Sequence, residues 1–293
     1  MKIAIIDKKD ITLKIENNSI KFEGQTIPFK LIDILILNHR TSILTKDILK
    51  LTKENISILL ISYNNDNFSI INSANTKNAE TKLLQYQSLS KKLQFAKYFV
   101  SNKIIQHKEQ LHTFGITVDI SFQLEQVKNA TQIDGIMGIE GAFARLYFQH
   151  YFQEFPKNMH KGVRSKQPPR DPINALLSYW YSLYHNIITI KLLSHGYEPS
   201  MGYLHAPFRT HNALASDILE LFRAAINQAV FSLIQNKLLE MDDFTNKGGV
   251  YLKYEGRKKI HKEFIAFVDV MQAKLNSEIA TLKKMMAEQD EEV

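Results

Sequence analysis

The fold turns on KLLQYQSLSKKLQFAKYFVSNKIIQHKEQL, residues 82–111. Apolar residues recur there at helical spacing, and everything before the segment has a different period. Upstream, IAIID, TLKIE, SIKFE, IDILILN, ISILLIS and FSIIN are short stretches rich in Ile, Leu and Phe. Several alternate, and Asn, Gly and Lys turns separate them, which is the pattern of strands. In SIKFEGQTIPF, Glu23-Gly24 sits between two alternating runs and predicts a hairpin. One helix-like interruption, SILTKDILKLTKE, falls at 42–54.

Residues 1–73 are therefore expected to form a small β-rich domain, and the polar stretch around 74–82 a linker. Residues 83–293 are expected to form a larger, all-helical domain. After the opening helix, further helices are predicted near 117–130, 134–153, 172–195, 211–238 and 257–288. Asp171-Pro172 starts one of them with a capping residue and a proline at the first helical position. The fold class is α+β. The acidic tail AEQDEEV is expected to fray.

The hydrophobic fraction of 44% is enough for a sizeable core. No run approaches the length of a membrane span, and the start alternates rather than forming a leader, so neither a membrane nor a secretory role is expected. The chain has no cysteine. That removes disulfides, thiolate nucleophiles and cysteine zinc sites, and suits a cytoplasmic protein. The net charge of +7 favours polyanion partners, chiefly nucleic acid.

Three segments carry candidate chemistry. In DGIMGIEGAFARLYFQH, 134–150, Glu140 is the only charge between Ile136 and Ala144. Burying such a carboxylate is costly unless it is paired or binds a cation. Gly135, Gly138 and Gly141 weaken this helix and are expected to admit a close backbone or ligand. In GYLHAPFRTHNALASDILELFR, 202–223, the second half reads as an amphipathic helix with Asp217 and Glu220 on one side and His205 just before it. Carboxylates with a single imidazole suit Mg²⁺ or Mn²⁺ rather than a structural zinc site. The spacing leaves open which of Asp217 and Glu220 binds directly and which orients.

The third segment is the loop FPKNMHKGVRSKQPPRDP, 155–172, with Lys157, Lys161, Arg164, Lys166 and Arg170. It reads as a solvated, mobile surface loop or as a track along a phosphate backbone. On the helix that follows, Trp180 and Tyr184 share a face with Leu176 and Leu177 and are expected in the core. Tyr181, alongside Asn174 and Ser178, is expected to face a cleft. Arg209 and Arg223 are placed to contact phosphates, and Arg223 can equally pair with Glu220 or Asp217.

GIEGAFARLYF, DPINALLSYWYSLY, HGYEPSMGYLHAPFRTHNALASDILELFR and GGVYLKYEGRKKI occur in that order. Together they resemble the CRISPR-associated integrase, the catalytic subunit that inserts spacers into CRISPR arrays. The resemblance spans most of the chain and includes the two-domain layout. It implies a metal site at Glu140, His205 and Glu220 with Asp217 adjacent. It implies Mg²⁺- or Mn²⁺-dependent transesterification by a DNA 3′-hydroxyl, with nuclease activity on DNA, branched DNA included, and on RNA. It implies a homodimer joined through the β-rich domains, with two such dimers bridged by the small CRISPR-associated partner subunit. Asn174, Tyr181, Arg209, Arg223, Lys161, Arg164, Lys166 and Arg170 are the candidate DNA contacts. Some family members carry a lysine shortly after the metal histidine. Here His205 is followed by APFR, so that contact falls to Arg209.

Overall fold

The computed structural model describes residues 1–62, 68–73, 78–207 and 211–288. The chain divides into two compact units. The first comprises residues 1–77 with 260–274, and the second residues 78–259 with 275–293.

The first unit is strand-rich, as the alternating segments predict. A four-stranded sheet runs in the order β1 (Ile3–Ile6), β6 (Ile34–Asn38), β8 (Ser57–Ile61), β9 (Phe68–Ile71). β1, β6 and β8 are parallel, and β9 is antiparallel to β8. The run ILIL at the centre is buried residue after residue, as a parallel strand covered on both faces must be. α1 (Thr45–Lys53) makes the crossover from β6 to β8. β2 (Ile11–Thr12) pairs with β7 (Thr41–Ser42). β3 (Lys14–Glu16), β4 (Ser19–Phe22) and β5 (Gln25–Pro28) form an antiparallel meander. The predicted hairpin is its second turn. Phe22 pairs with Gln25, and Glu23 and Gly24 both have positive φ, 43° and 77°. That is the two-residue turn whose twist matches the strands. Leu13, Ile20, Leu35, Leu51 and Ile58 are at the centre of this unit's core.

The second unit is mainly helical. The opening segment is not one helix. α2 (Ala79–Gln87) and α3 (Lys92–Thr113) are separated by a 3-10 turn at Ser88–Lys91. Ser88 Oγ donates to the Gln85 carbonyl at 2.9 Å and bonds the Tyr203 hydroxyl at 2.7 Å, and Ser90 Oγ reaches the Gln87 carbonyl. Serine side chains that compete for helix carbonyls disturb the ladder there. Of the expected linker, residues 74–77 lie outside the described residues and α2 already begins at Ala79. α4 (Ser121–Asn129) and α5 (Ile133–Gln153) follow, and both pack with α3.

α6 (Pro172–Ser194) is the central helix, buried nearly all round, and packs on α7 (Ala213–Glu220) and α8 (Arg223–Gln235). Asp171 caps it by accepting from Asn174 N at 2.8 Å. The predicted helix 211–238 is two helices, because Leu221 N and Phe222 N bond three residues back and close the turn before α8 restarts. α7 is not amphipathic: every one of its residues is buried. A short hairpin, β10 (Phe244–Asn246) with β11 (Val250–Leu252), packs on α6 and was not legible as strand. α9 (Tyr254–Ala287) is the last helix, and its residues 260–274 group with the first unit. No helix of the described residues is long and apolar enough to cross a membrane.

Candidate active site

Asp217 is fully buried on α7. Its Oδ2 accepts from the backbone N–H groups of Tyr203 (2.6 Å) and Leu204 (3.0 Å). Its Oδ1 accepts from His205 N (2.9 Å) and meets His205 Nδ1 at 2.7 Å. A carboxylate oxygen accepts here, so Nδ1 carries a hydrogen, and in the neutral ring Nε2 keeps its lone pair. The segment 202–205 can lie this close because residue 202 is glycine. A Cβ there would meet Ala213 Cβ at 2.8 Å and Asp217 Oδ2 at 2.9 Å.

Glu220, one turn on, has different partners. Its Oε2 accepts from Lys103 Nζ at 2.5 Å and from Arg223 Nε at 2.8 Å. Lys103 also ion-pairs with Glu140 Oε1 on α5. Two carboxylates from separate helices thus converge on one ammonium from a third. Burial alone would raise the Glu220 carboxyl. Arg223 and Lys103, with a smaller share from His205, outweigh it and hold the pKa well below the usual range.

The expected single group of Glu140, His205 and Glu220 is therefore present as two adjacent pairs: Glu140 with Glu220, and His205 with Asp217. Among the described residues no three His, Asp or Glu side chains form one ready-made metal cluster. Lys103 supplies a positive charge between the two carboxylates. Sequence reading passed over this lysine. Its signal is the spacing Phe95, Phe99, Lys103, His107, Leu111, a fourth-residue stripe that is apolar at both ends and basic in the middle. All five are buried. His107 stacks on Tyr147 at 3.9 Å and neither of its nitrogens has a hydrogen-bond partner. Burial, reinforced by Lys103, lowers its pKa well below the ordinary 6.5.

Two candidate contacts turn out to be internal. Tyr181 does not face a cleft: it is buried, and its hydroxyl bonds Asn227 Oδ1. Its ring carries two guanidiniums, Arg223 Cζ at 4.6 Å and Arg164 Cζ at 5.5 Å. Asn227 Nδ2 donates to the Tyr147 hydroxyl at 2.7 Å and extends the network to α5. Asn174 is fully buried and its amide is consumed by the basic loop. Oδ1 accepts from Arg164 Nη1 and Ser165 N, both at 2.9 Å, and Nδ2 donates to the Val163 carbonyl at 2.8 Å and to Asp171 Oδ2 at 2.7 Å. These bonds anchor residues 163–165 of the loop. Lys157, Lys161, Lys166 and Arg170 on it are exposed, while Arg164 is half-buried and bonded to Asn174 and Ser178. Arg223 takes the ion pair with Glu220. Arg209 lies outside the described residues.

Two further histidines are bonded within the unit. His185 Nε2 meets the Asn212 carbonyl at 3.2 Å, and burial pushes its pKa down to about 4. His211 Nε2 meets Ser216 Oγ at 3.0 Å. The glycines of α5 face open space: a Cβ at 135, 138 or 141 would meet nothing within 4 Å, so no other part of the described chain uses their small size.

Residues 2–266 match the family of CRISPR associated protein Cas1. The chain belongs to the Cas1 family. A CRISPR-associated endonuclease Cas1 of Thermodesulfovibrio yellowstonii is 29% identical over 99% of this chain and 98% of its own length. A Cas1 endonuclease of Thermus thermophilus is 33% identical over 62% of this chain and 58% of its own. Among solved structures, a CAS1 protein from Thermotoga maritima superposes with a TM-score of 0.89 at 20% identity, covering 100% of this chain and 99% of that one. A casposase bound to integration product gives 0.83 at 24% identity over 92% of this chain and 83% of that one. Cas1 structures similar to this chain include a DNA complex and a Cas6-RT-Cas1–Cas2 complex.

Proposed function

We propose that Glu140, His205 and Glu220 are the residues with which this Cas1 protein holds Mg²⁺ or Mn²⁺, and that Asp217 orients His205 for them. The function is that of a CRISPR integrase and endonuclease, and the observation that carries the site assignment is the convergence of Glu140 and Glu220 on one buried cation. The donors fit: two carboxylates and an imidazole Nε2 left open by Asp217 make a hard oxygen-rich set. When bound, the ion activates the attacking hydroxyl and offsets charge building on the phosphate.

The chain's own residues supply the rest. In strand transfer the 3′-hydroxyl of the incoming DNA gives up its proton and its oxygen bonds to phosphorus, the P–O bond of the target strand breaks, and the leaving oxygen takes up a proton. In cleavage, water takes the place of the 3′-hydroxyl. Neither route needs a protein nucleophile, which the cysteine-free chain suits. His205, with Nδ1 held by Asp217, is oriented either to ligate or to move a proton at Nε2. Arg223, fixed by Glu220 and by the face of Tyr181, holds a guanidinium beside the site. Lys157, Lys161, Lys166 and Arg170 lie along the DNA backbone, presented on a loop that Asn174 has already ordered.

The strand-rich unit forms the homodimer. Exposed Leu31, Leu44 and Leu49 on that unit support this, since they offer apolar surface to bury. The small partner subunit, Cas2, bridges two dimers in the cytoplasm, and the substrates are a short spacer fragment and the CRISPR repeat.

The test is a gel assay with labelled spacer DNA and a supercoiled plasmid bearing the repeat, with the partner subunit and Mn²⁺ present. Wild-type protein is expected to give strand transfer and cleavage. The Glu140→Gln protein is expected to give about 10²–10³-fold less product. Activity that persists in Glu140→Gln, or no product from wild type under these conditions, overturns the assignment.

A further inference from the structure

Both carboxylates are already paired with cations. Glu140 and Glu220 face Lys103 and Arg223. The Lys103 and Glu220 side chains are only 8% and 4% exposed, so water screens their charges weakly. A divalent cation at the same oxygens would add two positive charges beside Lys103 and Arg223, with Lys166 also acting on Glu220, and like charges so close repel strongly where water screens weakly. One cation has to give way. Arg223 is fixed twice, through Nε on Glu220 and through its face on Tyr181. Lys103 is a compact ammonium on a flexible stem, and its bonds are to the two carboxylates themselves.

We propose that Lys103 is a built-in competitor for the metal: a divalent ion loads by displacing its ammonium, and a DNA phosphate receives the displaced ammonium, so metal and DNA bind cooperatively. This rests on Glu140 and Glu220 being the metal ligands. Each phosphodiester brings one negative charge and offsets the surplus that the ion creates. Without DNA the ammonium stays on the carboxylates it is bonded to. Because the coupling is a free energy shared between two ligands, each must tighten the other by the same factor.

The test measures free Mn²⁺ by electron paramagnetic resonance at fixed pH, with and without a short duplex whose strand ends lack the 3′-hydroxyl. Lys103→Met is expected to bind Mn²⁺ about 5- to 100-fold more tightly than wild type in the absence of DNA, the range typical of such coupling. DNA is expected to tighten Mn²⁺ in wild type and to change the Lys103→Met affinity much less. Lys103→Gln keeps a donor without the charge and replaces Lys103→Met if that protein melts below the assay temperature. Equal or weaker Mn²⁺ affinity in the folded variant overturns the proposal, as does an undiminished effect of DNA. Glu220→Gln separates the two levels. If it loses Mn²⁺, the ligand assignment stands whatever Lys103 does. If it binds as wild type does, the ligand assignment itself fails and this proposal fails with it.

Discussion

Asp217 and Glu220 are three residues apart on one helix, both acidic and both buried, and their surroundings divide the labour of the site. Asp217 is bonded by three backbone N–H groups and by the histidine it orients. Glu220 is bonded by the side chains of Lys103 and Arg223. An acid held by its own backbone is part of the scaffold, since its bonds can be given up only by unfolding the segment. An acid held by side-chain cations can exchange one cation for another without moving the backbone. Proximity on a helix face therefore does not make two carboxylates equivalent.

The contrast is broken most directly by swapping each acid for its amide. Glu220→Gln is expected to lower strand transfer about 10²–10³-fold and also to lower the unfolding midpoint, because buried Lys103 and Arg223 are left with one carboxylate fewer. Asp217→Asn is expected to lower it about 10–100-fold through misplacement of His205 and also to cost about 3–5 kcal/mol of stability. Chemical denaturation beside the strand-transfer assay checks both. If Asp217→Asn denatures like wild type, the scaffold role assigned to it is wrong.

A smaller effect sharpens the same contrast at the basic loop. Asn174→Ala leaves the Ser165 N–H and the Val163 carbonyl unpaired, at about 1–3 kcal/mol. Limited proteolysis is expected to open the loop between 157 and 170 in this variant, and a loop as resistant as wild type would show that Asn174 does not hold it.

The smallest effect concerns His107. Its folded pKa lies below the ordinary 6.5 because burial penalises the charged ring. His185 behaves likewise, at about 4. The unfolded chain therefore binds more protons below pH 6.5, so stability is full above that pH and falls as the solution is acidified toward pH 4. Replacing His107 by Leu removes two buried polar atoms that have no partners. The variant is expected to denature within about 1 kcal/mol of wild type, or above it, at pH 7 and to lose less on acidification. A large loss at pH 7 would mean the ring has a partner that matters.

Much of this was legible in the sequence and the remainder has a physical reason. The change of period near residue 80 separates the strand-rich region from the helical one, and Glu23-Gly24 sets its hairpin because few residues tolerate that turn. Glu140 stands out in the sequence as a lone charge in an apolar helix, and spacing puts His205, Asp217 and Glu220 near one another, but does not show the division into Glu140 with Glu220 and His205 with Asp217. What spacing could not supply was orientation. Tyr181 and Asn174 sit on the same helix as the expected cleft face, but α6 is buried nearly all round and has no cleft face there. Lys103 was hidden because a lysine in a long helix is ordinarily a solvated residue. Only the packing of α3 against α5 and α7 shows that this one points inward.

The close approach at Gly202 bears on how such a chain can change. Adding a single methyl group there would force apart Ala213 and the carboxylate of Asp217, and so disturb the one contact that aims the imidazole. In a library screened for retained activity, one of the least forgiving positions would be a residue that contributes no chemistry and no side chain at all.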